Sequence, residues 1–185
     1  MTGPRARRPS RPEAAAELRR LWAPWRAQYV RKAAAAGERC IFCFGTLGAA
    51  ARRRRLVLYA GPAALVMLNR YPYNNGHLLI APRRHSASPE LLTPGERGTL
   101  GEVLNASLEM LRRALKPAAF NLGANLGRIA GAGIAGHFHW HVVPRWDGDT
   151  NFMTVTASTR VVSEHLAASF ERLYPLFKTL DAALS

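Results

Sequence analysis

The stretch GHFHWHVVPR, residues 136–145, constrains the fold more than any other part of the sequence because histidine occupies every second position in it. Side chains of a β-strand alternate between its two faces, whereas residues two apart on an α-helix point about 200° away from each other. The alternating residues are His137, His139 and His141 on one side and Phe138, Trp140 and Val142 on the other. The pattern predicts a strand with three imidazoles on one face and a buried apolar face opposite.

The formal net charge of the 185-residue chain is +14, and much of it lies in two places. Residues 1–12, MTGPRARRPSRP, have a composition that predicts a disordered basic arm, and residues 52–55 are four consecutive arginines. A basic arm can contact nucleic acid or an acidic membrane surface, but we favour a solvated tail, so nucleic acid is not an expected partner. The positive excess in the rest of the chain favours a polyanionic small substrate.

The sequence contains neither a run of about 20 apolar residues nor an apolar N-terminal signal segment. We therefore expect no membrane association and a cytoplasmic location. Two cysteines, Cys40 and Cys43, lie in the segment CIFC. Their two-residue gap is typical of a metal-binding knuckle or a redox pair.

Hydrophobic patterns predict strands in RLVLYA, ALVMLN, HLLIAP and AAFNLGAN, in addition to the histidine stretch. Thr93, Pro94 and Glu96 supply the N-cap, first-turn proline and capping-box acid of a long helix that Pro117 ends. A last helix, near the C-terminus, is expected to be interrupted or kinked near Pro175.

Strands joined by short turns, together with one long central helix and a C-terminal helix, favour an α+β fold. We expect a sheet of about five mostly antiparallel strands. Residues 13–185 are interpreted as a single domain with N-terminal and C-terminal helical extensions. The aromatic segment LWAPWRAQYV in the N-terminal extension is expected to dock onto the core or onto a partner subunit.

Three imidazoles on one partly desolvated face need a polar partner, which either a metal ion or an anion would supply. Histidines two residues apart are common zinc ligands. The anion alternative makes better use of the surroundings, because the glycine-rich loop LGRIAGAGIAG leads directly into the histidines. Arg128 and Arg145 add fork-shaped cations that match the geometry of phosphate.

Histidine is a competent nucleophile toward phosphorus, and its near-neutral pKa allows the attacking nitrogen to be unprotonated. We predict that the middle histidine, His139, is this nucleophile, with its Nδ1–H held by a backbone carbonyl and its Nε2 left to attack. His137 and His141 would then orient the phosphate and stabilise the developing charge. His77 is expected to support the three histidines through a hydrogen bond, and His165 to lie on the surface.

HFHWHVV resembles the His-x-His-x-His-x-x signature of the histidine triad (HIT) superfamily of nucleotide hydrolases and transferases. The segments CIFC, LNRYPYNNGHLLIAPRRH and NLGANLGRIAGAGIAGHFHWHVVPRW agree with that superfamily in order and spacing. The resemblance covers roughly residues 21–160. LWAPWR, HFHWHVVPRW and GDTNFM are similar to one branch in particular, the bacterial diadenosine tetraphosphate phosphorylases.

The resemblance implies a HIT-like fold whose five-stranded sheet commonly extends across a dimer, so a homodimer or higher homo-oligomer is expected. It also implies that His139 attacks the α-phosphorus of a dinucleoside polyphosphate, forms an adenylyl-histidine and expels ATP. Inorganic phosphate would then attack the adduct and yield ADP, whereas water in its place would yield AMP.

The same resemblance suggests which residues bind the substrate. Asn69 matches the residue that usually holds the ribose, and Asn125 matches, with a one-residue shift, the side chain that contacts the transferred phosphate. Leu68 would wall the base, and Trp140, which replaces a small aliphatic residue of many members, is counted with this group. The glycines expected to wrap the phosphate are Gly131, Gly133 and Gly136.

Some members of the superfamily bind a structural zinc, and the candidate ligands here are Cys40, Cys43, His85 and His137. That assignment would take His137 away from the phosphate. The alternative is that both cysteines are simply buried small side chains. The chemistry itself is expected to need no cofactor, and a divalent ion accompanying the polyphosphate is compatible with its charge.

Three classes of function remain open at this point. The leading one is cleavage of diadenosine tetraphosphate by phosphorolysis. The second is hydrolysis of dinucleoside polyphosphates or nucleoside phosphoramidates, and the third is a non-catalytic nucleotide- or RNA-binding protein. The loop before His137 has Gly133 and Ile134 where the hydrolase branches typically have a Gln-Ser/Thr pair. That departure weakens the hydrolase alternative and suggests a wider phosphate pocket.

Overall fold

The structure is a computed structural model, which describes residues 40–149 and 164–183. The predicted arm at 1–12, the aromatic segment at 21–30 and most of GDTNFM lie outside the described residues. The described elements follow one another along the chain as α1 Ala49–Arg55, β1 Val57–Ala60, β2 Ala64–Leu68, β3 Leu78–Pro82, a 3-10 turn at Pro89–Leu91, α2 Pro94–Leu115, β4 Ala119–Gly123, β5 Trp140–Arg145 and α3 Leu166–Ala183.

The five strands form one sheet in the order β1-β2-β3-β5-β4, and every neighbouring pair is antiparallel. The predicted α+β fold with a five-stranded antiparallel sheet is therefore confirmed. β5 lies between β3 and β4, so its residues are paired on both sides. Leu79 of β3 is opposite His141, and Gly123 of β4 is opposite the same histidine.

Alternation along the strands divides the core between the two faces of the sheet. On the face that packs against α2 and α3, the buried strand residues include Val66, Ile80 and Val142. The opposite face carries a smaller cluster around Phe42, to which Leu65, Met67, Leu79 and Ala81 belong. We call these the helix face and the Phe42 face. None of the described helices is long and apolar enough to cross a lipid bilayer.

The start of α2 agrees with the sequence prediction in detail. The hydroxyl of Thr93 accepts the Glu96 N–H at 3.2 Å, and the Glu96 carboxylate accepts the Thr93 N–H at 2.8 Å. Arg84 also donates to both carboxylate oxygens of Glu96, at 2.7 and 2.8 Å. The hydrogen bond from Arg84, aided by the Thr93 backbone, lowers the pKa of Glu96 to about 2. The capping box therefore also anchors the chain that leaves β3.

Three expectations about the elements need correction. The four arginines at 52–55 belong to α1, which the sequence analysis did not predict as a helix, and the following strand starts only at Val57. Leu56, in the left-handed region at φ 61°, ends that helix. α3 runs through Pro175 without interruption, since buried Phe170 and Phe177 hold it against the sheet on both sides of the proline.

Candidate functional site

The histidine stretch enters the sheet later than its alternation suggests. β5 begins at Trp140, so only His141 is a strand residue, and His137 and His139 lie in the segment immediately before it. The Phe138 N–H donates to the carbonyl of Ser86 at 2.6 Å and holds that segment in place. The rings of His139 and His141 lie 4.9 Å apart. Of the three histidines predicted to share one face of a strand, His139 and His141 line one cleft and His137 does not.

The hydrogen bonding of His139 determines which nitrogen carries its proton. Its Nδ1 lies 2.8 Å from the carbonyl oxygen of His137, and a carbonyl can only accept, so Nδ1 is the protonated nitrogen. The side chain is 5% exposed and its ring is 5.0 Å from that of Phe42. Burial lowers the pKa of His139, and the hydrogen bond to the His137 carbonyl opposes this shift in part. The neutral ring therefore keeps its lone pair on Nε2.

A second hydrogen-bonded chain determines the tautomer of His141. The backbone N–H of Tyr73 donates to Nδ1 of the fully buried His77 at 3.0 Å, so Nε2 of His77 carries the proton. That Nε2 lies 3.0 Å from Nδ1 of His141 and donates to it. In its neutral form, His141 must then hold its own proton on Nε2. The expected supporting role of His77 agrees with this geometry.

The cleft beside these rings, which we call the histidine cleft, opens on the Phe42 face of the sheet. Its lining combines aromatic, amide and imidazole side chains with one glycine of the loop before β5. The lining residues are Asn69, Tyr71, Tyr73, Leu79, Gly133, Ile134, His139 and His141. Apolar walls with a few polar groups are typical of a small-molecule site.

Asn69 is the predicted substrate residue that the structure places most clearly in the cleft. Its Oδ1 accepts the Tyr71 N–H at 3.0 Å, which leaves its amide nitrogen to approach Nδ1 of His77 at 3.3 Å. The side chain thus links the cleft wall to the histidine chain.

The predicted phosphate-binding residues of the glycine-rich loop before the histidines lie in different surroundings. Gly133 lines the cleft, whereas Gly136 lies against His85. Gly131 has φ +88° and receives a 3.4 Å hydrogen bond from the Asn125 amide on its carbonyl. Arg128 is exposed in the same loop.

Three further predicted substrate residues also lie outside the lining of the cleft. Leu68 and Trp140 belong to the helix face, because alternation places them opposite the side chains of Leu79 and His141. Arg145 donates to both carboxylate oxygens of Asp149 at 2.6 Å and to Asn121 at 2.8 Å. This pairing raises the pKa of Arg145. The guanidinium is thus held at the far end of β5 from His139.

The sequence analysis missed the aromatic and aliphatic walls of the cleft. Tyr71 and Tyr73 lie in the turn RYPYNNG, whose proline, asparagines and glycine predict only a break between two strands. Leu79 is paired with His141 across the sheet, so the strand register was the signal that could have found it. Ile134 closes the cleft from the glycine-rich loop.

The four predicted metal ligands come together beside the cleft. The Sγ of Cys40 is 3.2 Å from Nδ1 of His137, and the Sγ of Cys43 is 3.2 Å from Nδ1 of His85. All four ligand atoms lie within 4.8 Å of one another. A tetrahedral zinc with bonds of about 2.0–2.3 Å would separate its ligands by about 3.3–3.8 Å. The donor set and its spacing fit such an ion.

His137 connects this cluster with the nucleophile candidate. Its Nε2 lies 2.9 Å from the Pro82 carbonyl and carries the proton, so its Nδ1 presents a lone pair to the thiols. Its own carbonyl accepts the Nδ1–H of His139. Burial lowers the pKa of His137 and raises that of the Cys40 thiol. His137 therefore belongs to the Cys-His cluster, whereas His139 and His141 face the cleft.

Fold and site together define an α+β protein with a histidine pair on the open face of an antiparallel sheet. The HIT domain family matches residues 52–148, which is more than half of the chain. This chain therefore belongs to the HIT domain family.

Individual relatives agree with that assignment. The chain is 34% identical over 155 residues to an AP-4-A phosphorylase of Mycobacterium tuberculosis, a match that covers 81% of this chain and 80% of the relative. Among solved structures, it resembles a Zn-bound histidine triad family protein from Mycobacterium smegmatis with a TM-score of 0.55 and 25% identity, covering 69% of this chain and 87% of that one. Plasmodium falciparum diadenosine triphosphate hydrolase shares the fold, with a TM-score of 0.52 at 14% identity over 85% of this chain and 97% of that one.

Proposed function

We propose that this chain is a nucleotide-processing enzyme that cleaves diadenosine tetraphosphate by phosphorolysis to ADP and ATP. The observation that carries the proposal is the neutral, buried His139, whose Nδ1–H is engaged by the His137 carbonyl while its Nε2 lone pair is left for attack. The similarity to the mycobacterial AP-4-A phosphorylase favours this substrate and this acceptor.

In the first half-reaction, Nε2 of His139 attacks the α-phosphorus of the dinucleotide. A phosphorus–nitrogen bond forms, the bond to the bridging oxygen breaks, and ATP leaves with that oxygen. His141 carries its proton on Nε2 and donates it in a hydrogen bond to the phosphate oxygens, where negative charge develops. The chain from Tyr73 through His77 keeps His141 in this donor tautomer.

In the second half-reaction, an oxygen of inorganic phosphate attacks the adenylyl-histidine. The phosphorus–nitrogen bond breaks, ADP leaves and the neutral imidazole of His139 is regenerated. Gly133 has no side chain to occupy the cleft beside the histidines, which favours the wider phosphate pocket inferred from the sequence. Water attacking in place of phosphate would release AMP.

A product assay tests this proposal. Protein is incubated with diadenosine tetraphosphate, with or without inorganic phosphate, and the nucleotides are separated. We expect ADP and ATP only when phosphate is present. His139→Gln should abolish turnover, whereas His165→Gln, at an exposed histidine immediately before α3, should retain it. Formation of AMP and ATP regardless of phosphate would indicate that the chain is a hydrolase. The absence of any turnover would contradict the proposal that it is an enzyme acting on this substrate.

We further propose that Cys40, Cys43, His85 and His137 bind a structural zinc ion, since their donor atoms have the number, type and spacing that zinc requires. The ion would fix residues 40–43 to the segment before β5. Metal analysis of tag-free protein should give about one zinc per chain. Cys43→Ser should lose that metal and lower the unfolding temperature, and a wild-type metal content near zero would contradict the site.

A homodimer is proposed through β4, which among the described strands lies at the edge of the sheet next to β5. Leu122 of this strand is 47% exposed, and Leu126 just beyond it is exposed to the same extent. An exposed strand edge with apolar side chains favours pairing with a second chain. Light scattering on the full chain would measure the assembly.

A further inference from the structure

A second cavity of about 310 Å³ lies apart from the histidine cleft, and the two share no lining residue within 40–149 and 164–183. It is bordered by residues 45–47, by α1 and by the turn between β1 and β2, and it is partly open to solvent. Two arginines, Arg52 and Arg83, and the hydroxyl residue Thr46 line it, and none of its lining residues within the described ranges is acidic. The charge of this cavity suits an anion.

Arg83 lines this cavity and has a buried N–H group that lacks an acceptor among the described residues. Its Nη2 donates to the carbonyl of Phe44 at 2.7 Å, and its guanidinium carbon lies 4.9 Å from the centre of the Phe44 ring. These two contacts hold the guanidinium in one place. Its Nη1 is buried and has no acceptor within the described part of the chain. A buried donor without an acceptor is destabilising, so the position calls for an acceptor.

The surroundings make an oxyanion the fitting acceptor. The guanidinium of Arg55 lies 5.7 Å from the centre of the same Phe44 ring that Arg83 contacts. Arg52 lines the cavity from the same helix. Positive charges gathered within one small region raise the local potential for an anion. Guanidinium groups also match the geometry of phosphate better than that of a monovalent halide.

We propose that this cavity is a second oxyanion site, which takes a phosphate group through Arg83 with Arg52 and Thr46 as further contacts. The phosphate comes either from inorganic phosphate or from a nucleotide. The site is independent of the reaction in the histidine cleft, so it can exist whichever nucleotide the enzyme cleaves.

Amide chemical shifts of the full chain, titrated with inorganic phosphate, test the proposal site by site. The amides of Gly45 and Gly61 report on this cavity, and that of Gly133 reports on the histidine cleft. Thr46 is exposed, so its replacement leaves the core intact. Thr46→Glu places a negative charge in the lining, and Thr46→Gln is the matched neutral control.

We expect Gly45 and Gly61 to respond to phosphate with an affinity about tenfold weaker in Thr46→Glu than in Thr46→Gln, because a carboxylate repels the oxyanion. The Gly133 response should be the same in both variants. Arg83→Met should also lose the Gly45 response, whereas Arg113→Met, at an exposed arginine of α2, should keep it. If Arg83→Met fails to fold, the Thr46 pair still decides.

A parallel titration with AMP distinguishes the two sources of the phosphate group. Tighter binding of AMP than of inorganic phosphate at Gly45 and Gly61 would assign the site to a nucleotide, and the reverse would assign it to inorganic phosphate. Absence of any response at these amides to millimolar phosphate and AMP, or equal affinities in Thr46→Glu and Thr46→Gln, would overturn the proposal.

Discussion

The burial of His139 predicts a measurable dependence of stability on pH. Its pKa is lowered in the folded chain, mainly by burial, from an ordinary value of 6.5. As the pH falls below 6.5, the unfolded chain takes up a proton on this histidine that the folded chain does not accept. The contribution of the neutral ring to stability is therefore complete above pH 6.5 and is lost as the pH falls toward the folded pKa.

The size of this effect follows from proton linkage. If His139 stays neutral in the folded chain, lowering the pH from about 7.5 to about 5.5 removes about 1.4 kcal/mol of unfolding free energy, since the unfolded histidine titrates at 6.5. This figure is an upper limit that partial protonation of the folded state reduces. In His139→Gln, the contribution is absent at every pH.

The assay is urea unfolding of wild type and His139→Gln across this pH range. Titrating groups that do not interact with His139 cancel in the difference between the two curves, whereas His137, whose pKa His139 helps to lower, contributes to that difference. We expect the wild type to lose more stability than the variant toward low pH, by an amount approaching that limit. Parallel curves for wild type and His139→Gln would refute the reasoning.

Three further predictions concern the histidine chain, the helix cap and the sheet edge. The side chain of His77→Asn can still accept the Tyr73 N–H but has no donor that reaches His141, whereas His77→Gln keeps a donor near the position of Nε2. Nucleotide cleavage should be about fivefold slower in the Asn variant than in the Gln variant. Equal rates would contradict the role of the hydrogen-bonded chain. Thr93→Ala should lower the free energy of unfolding in urea by about 1 kcal/mol without changing the reaction products, and unchanged stability would contradict the capping box. Leu122→Lys should shift the mass measured by light scattering from dimer to monomer, and an unchanged mass would count against pairing through β4.

Much of the fold was accessible from local patterns. The helix start at Thr93 could be recognised because capping involves residues only three positions apart. Period-two alternation correctly placed His139 and His141 on one face and Phe138 on the other. α1 was missed because its seven residues contain no buried side chain, so no hydrophobic period marks it.

The Cys-His cluster was anticipated from the resemblance to the HIT superfamily, and the structure brings its four donors together. The structure also separates His137, whose Nδ1 faces the thiols, from His139 and His141 in the cleft. That division of roles depends on where residues 40–43 pack against His137, which no spacing within the histidine stretch specifies.

Arg145 shows why a suitable residue type near a site is not enough. A guanidinium close to the histidines in sequence suggested a phosphate contact, but the strand carries it to the opposite end and Asp149 pairs with it. Leu68 was misplaced for a related reason. Alternation along β2 places the side chains of Leu68 and Met67 on opposite faces of the sheet. Only the packing of α2 and α3 shows that Leu68 lies on the helix face.

The sequence by itself determined the features that depend on neighbouring residues: the alternation of the histidines, the capped helix, the glycine-rich loop and the family signature. Only the tertiary structure decided that His77 donates to His141 and that Arg83 is left with a buried nitrogen that has no acceptor among the described residues. The physical reason is that these contacts join residues far apart in sequence. Their geometry depends on strand register and on how loops pack, and neither is encoded in any short stretch of the chain.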